Sequence, residues 1–167
     1  MSKRFEEVRA KFLDAWGNMG VTWGIGRTMA QIHGLLMTAE KPLSTDDVMR
    51  ELAISRGNAN TNLRALAGWG IVRRVRRPGD RKEYFESEKD TWTMLCTVAR
   101  ERKRREIEPV IKSLESCLRE AERAPAAFRE RLESLLDILK AVDLLMGQLA
   151  QQQTNSVLPK LLKVFRQ

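Results

Sequence analysis

The chain has 167 residues, 43% of them hydrophobic, which is enough for one domain or for one domain with an arm. Its 30 Lys and Arg outnumber 22 Asp and Glu, for a net charge of +8, a balance that favours a polyanionic partner. No apolar stretch is long enough to span a bilayer, and the charged start MSKRFEEVRAKF has no signal-peptide core. The only two cysteines, Cys96 and Cys117, are too far apart for a disulfide framework or a metal site, and together these features place the protein in a reducing cytoplasm, away from membranes.

In chain order, residues 2–19 read as an amphipathic helix with Phe5, Val8, Phe12 and Met19 along one stripe and Leu13 and Trp16 beside it. Gly17 and Gly20 mark its expected end. Residues 1–21 are read as an arm for a partner subunit, with an ordinary first core helix as the alternative. A second helix is expected over 22–39. There Gly26, Ala30 and Gly34 form a row of small residues that lets another helix approach closely. His33, the only histidine, is read as a structural residue rather than a proton switch or a metal ligand.

Ser44 is a good N-cap, followed at the helix-start position by Asp47. Val48, Leu52 and Ala53 then share one face, and Ala53-Ile54-Ser55 is the turn. Ser55 caps the next helix, 55–68, in which Ala59, Leu63 and Leu66 form the buried stripe. The opposite face carries Gly57, Asn58, Thr61 and Arg64, flanked by Arg56 and Asn60. Amides and arginines match the donor and acceptor pattern of base edges, and a helix fits the major groove. Trp69-Gly70 stops this helix, and Trp69 is expected to wedge between it and a β-hairpin. The hairpin strands are expected over 71–77 and 81–87, joined by a turn at Pro78-Gly79-Asp80. Between Arg64 and Lys82 lie Arg64, Arg73, Arg74, Arg76, Arg77, Arg81 and Lys82 against the single acid Asp80, and cations on a protruding hairpin reach phosphates or a minor groove.

The segments PLSTDDVMRELAISRGNANTNLRALAGWGIVRRV and PGDRK resemble the winged helix-turn-helix of the MarR family of bacterial repressors. The stretches ISRGNANTNLRAL and GDRKEYF are most similar to its GbsR-type branch. MarR wings commonly carry Asp-x-Arg at the tip, and here Asp80-Arg81-Lys82 puts lysine in the arginine slot, with Arg81 next to it. The resemblance implies a small third strand near Lys41-Pro42-Leu43, double-stranded DNA as partner and a homodimer. Relatives that respond to choline imply a small-molecule effector, for which Trp16, Trp23 and Trp92 are candidate cage residues. The alternative for all four tryptophans is a place in the core.

Beyond the hairpin, residues 87–124 read as one long helix or two, with Trp92, Leu95, Cys96 and Ala99 on the first face. ARERKRREIEP faces water, and Pro109 predicts a kink or break near Glu108. Ile107, Ile111, Leu114, Leu118 and Ala121 continue the stripe. Pro125 opens a last long helix, in which Phe128, Leu132, Leu135, Leu139, Val142, Met146 and Leu149 alternate by four and three as a coiled-coil-like dimerisation seam, widened by Leu136, Ile138, Leu144 and Leu145. A short amphipathic helix is expected over 157–165. Cys96 and Cys117 read as buried apolar residues, with a redox switch as the sharper alternative.

These readings give a mainly α fold with a small antiparallel β wing: a helical arm (1–21), a winged helix-turn-helix (22–87) and a helical dimerisation region (88–167). No catalytic set, phosphate-binding loop or cofactor motif is present. The expected function is that of a homodimeric, sequence-specific DNA-binding regulator, a repressor without a cofactor. The DNA contacts are expected from Arg56, Asn58, Asn60, Thr61, Arg64, Arg73, Arg74, Arg76, Arg77, Arg81 and Lys82. One alternative is a winged-helix assembly module for an acidic protein, which the polar amide-bearing helix face disfavours. The other is a non-specific nucleic-acid binder, which would expose more aromatics for stacking.

Overall fold

The computed structural model describes residues 3–151, so the helix expected over 157–165 lies outside the described residues. The chain divides into two compact units between Lys89 and Asp90.

The first unit opens with α1 (Lys3–Thr22) and α2 (Arg27–Thr38). Gly17 and Gly20 do not end α1, as their composition suggested. They are buried inside it and form its contact with α2. A Cβ on Gly20 would overlap the Cβ of Ala30, and one on Gly17 would lie 2.9 Å from Cγ of Gln31. The other side of the row is Gly34, whose missing Cβ leaves room for Phe12, Leu13 and Trp16. The α2 helix starts later than expected, because residues 23–25 form a turn with Gly24 at φ +73°. Lys89 closes the far end of α2: its ammonium donates to the carbonyls of Leu36 and Met37 (both 3.2 Å) and of Ala39 (2.6 Å), groups that a helix C-terminus leaves without partners.

β1 (Leu43–Ser44), α3 (Thr45–Leu52), α4 (Arg56–Gly68), β2 (Val72–Arg76) and β3 (Glu83–Ser87) follow. Ser44 and Asp47 make a full capping box: the Ser44 hydroxyl accepts from the Asp47 amide at 3.2 Å, and the Asp47 carboxylate accepts from the Ser44 amide at 2.9 Å. The Ser44 hydrogen bonds hold the Asp47 carboxyl down at about 2. Ala53 is not part of the buried face. It ends α3 in the left-handed region (φ 51°) and is exposed. Ser55 caps α4 by accepting from the Asn58 amide at 3.3 Å. Ala59, Leu63 and Leu66 are buried as expected, with Ile32, Leu35, Leu36, Val48, Ile71, Val72 and Phe85 completing this core. Trp69 is the C-cap of α4, half-buried, and Gly70 follows at φ +76°. The sheet is antiparallel in the order β1-β3-β2, with Leu43 opposite Phe85 and Val75 opposite Tyr84, so the small third strand is present.

The second unit is helical: α5 (Thr91–Arg102), a π-helical turn (Lys103–Ile107), α6 (Glu108–Glu120) and α7 (Ala126–Gln151). The break expected near Glu108 is a widened turn rather than an interruption. Pro109 has no N–H to return to residue 105, and its ring crowds that carbonyl. The turn loosens, and the Glu108 amide bonds the Lys103 carbonyl, five residues back. Trp92, Cys96 and Ala99 are buried, joined by Thr97, but Leu95 is 38% exposed and leaves the expected core face. Cys96 is a buried thiol pushed up by desolvation, whereas Cys117 is exposed rather than buried.

The single seam expected on α7 is two faces. Leu136 and Ala150 are buried, and Leu132, Leu139, Asp143 and Met146 beside them are half-buried, on the side where α7 packs on α5 and α6. Lys103 ties this side together, 2.8 Å from Asp143 and 2.9 Å from Glu108, and Lys140 reaches Glu115 at 2.9 Å. The second face is Leu135, Ile138, Val142, Leu145 and Leu149, spaced three and four apart. Leu135, Ile138 and Leu145 are 46%, 60% and 64% exposed. Phe128, at the start of α7, is 52% exposed, and Leu144 lies apart from both faces at 62%. No helix of the described residues is long and apolar enough to cross a membrane.

Candidate nucleic-acid interface

α4 presents its polar side to solvent. Gly57, Thr61 and Arg64 recur at helical spacing and are exposed, as is Asn58 one step round. Asn58 is held from within the helix: the Asn62 amide donates to its backbone carbonyl at 2.9 Å and to its side-chain oxygen at 2.6 Å. The Asn58 NH2 is left as the outward donor, the group that a base edge or phosphate would meet. Asn60 is turned the other way. It is half-buried and accepts from the Thr45 hydroxyl at 3.4 Å.

The wing tip is built on Asp80. Arg77 to Asp80 form a turn, with the Asp80 amide donating to the Arg77 carbonyl at 3.1 Å, Pro78 second and Gly79 third at φ +79°, the arrangement a type II turn needs. One Asp80 oxygen accepts from the Lys82 amide at 2.9 Å and the other from the Tyr84 hydroxyl at 2.6 Å. These bonds, the Tyr84 one first, keep the Asp80 carboxyl below the usual carboxylate range and push the Tyr84 phenol up. Arg77 lies 4.0 Å over the Tyr84 ring and donates to the Pro42 carbonyl at 3.2 Å, so it braces the wing.

The remaining predicted cations fall into two groups. Arg73 pairs with Glu86 directly across the strands at 2.5 Å, and Arg74 reaches Glu83 diagonally at 3.6 Å. Arg56, at the start of α4, and Lys82, on the wing, converge on one carboxylate, Asp46 at the start of α3, at 2.5 and 3.2 Å. Together they keep Asp46 ionised below its usual range, with Lys82 contributing first, and Asp46 in turn raises Lys82. Asn60, Thr45, Ser44 and Glu83 complete a cleft of about 220 Å³ around this cluster. Arg64, Arg76 and Arg81 are exposed, and among the described residues none of them has an acidic partner.

The structure thus brings Asn58, Thr61, Arg64, Arg76 and Arg81 to the solvent side of α4 and the wing as unspent groups. Arg56, Asn60, Arg73, Arg74, Arg77 and Lys82 are engaged with other parts of the same unit. Sequence reasoning missed Asp46, Asn62, Asp80, Tyr84 and Glu86. Only Asp80 left a local signal, since an aspartate that bonds the amide two residues on is a turn device.

The three candidate cage tryptophans sit in different settings. Trp16 packs on Phe12, with ring centroids 5.6 Å apart, and its indole N–H donates to Nδ1 of His33 at 3.3 Å. Trp23 lies in the turn after α1 and is 49% exposed. Trp92 is buried in the second unit. His33 is buried and neutral, its imidazole brought down to about 4 by desolvation, and its Nε2 has no hydrogen-bond partner. Among the described residues, no cluster of His, Cys, Asp or Glu suits a metal ion.

No curated protein matches the chain. Among solved structures it is similar to the crystal structure of a transcriptional regulator, with 20% identity and a TM-score of 0.70 over 86% of this chain and 96% of that one, a likeness of fold. The segment that builds α2 to the start of β3, residues 23–83, matches the model of the MarR family.

Proposed function

We propose that the protein is a homodimeric, sequence-specific DNA-binding transcriptional regulator that acts as a repressor. The observation that carries this reading is the pairing of a capped helix, whose outward face is Asn58, Thr61 and Arg64, with a wing that keeps Arg76 and Arg81 unpaired. A helix bearing amides and arginine reads base edges in the major groove, and free cations on an adjoining ribbon hold flanking phosphates or the minor groove. The match of residues 23–83 to the MarR family supports it, and the ISRGNANTNLRAL stretch favours the GbsR-type branch within that family.

The reading takes the second face of α7, Leu135 to Leu149, as the dimer seam. An apolar heptad on one long helix is the pattern that two-helix pairing requires. A dimer places two α4 helices in successive major grooves, roughly 34–36 Å apart. Selection of bound fragments from a genomic DNA library tests the whole reading. A two-fold symmetric site is the expected result. Recovery of no preferred sequence would reduce the protein to a non-specific binder.

A further inference from the structure

The Asp46 cluster has a consequence for selectivity, which rests on the DNA reading above. Arg56 and Lys82 come from different elements, α4 and the wing, and both point to one exposed carboxylate at the start of a third element, α3. All three side chains are accessible, between 40% and 63% exposed. Asp46 is not required to start α3, because Ser44 and Asp47 already form the capping box. Its two oxygens each meet one cation, Arg56 of the helix at 2.5 Å and Lys82 of the wing at 3.2 Å. Ser44, Thr45, Asn60 and Glu83 are the other polar groups of this cleft, and each has its own partner: Ser44 in Asp47, Thr45 and Asn60 in each other, and Glu83 in Arg74.

We infer that Asp46 is a selectivity residue: an internal stand-in for a DNA phosphate that holds Arg56 and Lys82, cancels one of their two positive charges and so subtracts about one sequence-independent contact from the interface. Non-specific binding is almost wholly electrostatic, whereas specific binding adds base contacts from α4. An anion that occupies these cations therefore removes a larger share of the binding free energy for random DNA than for the cognate site. It also ties the wing to the start of the recognition helix, so the two move together.

The test is a salt series of affinities for a labelled random-sequence duplex, using the full chain and three variants: Asp46→Asn, Lys82→Gln and the two combined. Asp46→Asn removes one negative charge and is expected to steepen the logarithmic salt slope by about 0.9 per subunit and to tighten random DNA several-fold at low salt. Lys82→Gln alone leaves Arg56 to Asp46 and is expected to flatten the slope by about 0.9. The combined variant keeps one cation and no carboxylate, the net charge of the original cluster, and is expected to return to the wild-type slope. An unchanged slope in Asp46→Asn overturns the inference, and so does a combined variant whose slope stays as steep as that of Asp46→Asn. Should Asp46→Asn fail to fold, Asp46→Ser makes the same change of charge and carries the same expectation. A wild-type chain that ignores the duplex at the lowest salt overturns the DNA reading itself, a result distinct from binding with an unaltered variant slope.

Discussion

Gly20 of α1 and Ala30 of α2 lie so close that a methyl group on the glycine would occupy the position of the alanine methyl. Neither atom can move away, because both Cβ positions are set by helical backbone. Gly20→Ala is therefore expected to push the helices apart and destabilise the first unit by about 1–3 kcal/mol, the usual cost of overpacking. Gly17→Ala meets only the flexible side chains of Gln31 and Arg27 and should cost less. Chemical denaturation of both variants checks the order. Equal losses would mean that the Ala30 contact does not set the cost, since helix propensity favours alanine at both sites.

His33 gives the stability a pH dependence with a definite sign. Its imidazole titrates at about 4 when folded and near 6.5 when unfolded, so the unfolded chain binds the extra proton. The stability is fully present above about pH 6.5 and falls as the pH drops toward 4, by about 3 kcal/mol for a shift of this size. Unfolding free energies at neutral pH and near pH 4.5 should diverge in the wild type and far less in His33→Leu. Parallel curves for the two proteins would assign the loss to carboxylates instead.

On the helix face, Arg64→Ala is expected to cost about 1–3 kcal/mol at the cognate site and little on random DNA, if the guanidinium meets a base. Asn62→Ala should produce a smaller loss of the same kind without touching DNA, because it releases the Asn58 amide that it holds. A larger effect from Asn62→Ala than from Arg64→Ala would place Asn62 itself at the contact.

At the wing tip, Arg81→Ala should weaken binding to every sequence and flatten the salt slope by about 0.9 per subunit. Arg77→Ala should act differently, lowering the order of the wing through the lost Tyr84 and Pro42 contacts. The contrast is read from slope against affinity. A flattened slope in Arg77→Ala equal to that in Arg81→Ala would make Arg77 a phosphate contact too.

The two faces of α7 predict opposite outcomes for neighbouring substitutions. Ile138→Glu places a charge on the outward heptad and is expected to halve the mass seen by sedimentation while the helix content stays. Leu136→Ala empties a buried site and should cost about 2–5 kcal/mol without changing the mass at low temperature. An unchanged mass in Ile138→Glu would remove the outward face from subunit pairing.

Local chemistry was legible in the residues themselves. Ser44 with Asp47 and Ser55 before Arg56 announce helix starts, because a cap is a bond within three residues. Ala59, Leu63 and Leu66 announce the buried side of α4 through period alone. Pro78-Gly79-Asp80 announces the wing turn, because its dihedral angles depend on those residue types and no others nearby. Partners distant in sequence were not legible. Nothing local says that Gly17 and Gly20 are a helix crossing rather than a helix end, since the same residue serves both. Which α7 positions face inward depends on where α5 and α6 lie, so one apolar stripe in the sequence became two faces in space. The charges show the limit best: sequence counts Arg56 and Lys82 as available cations, and only the meeting of α3, α4 and the wing at Asp46 shows that they are held, because ion pairing is decided by distances of a few ångströms between segments about ten and thirty-six residues apart.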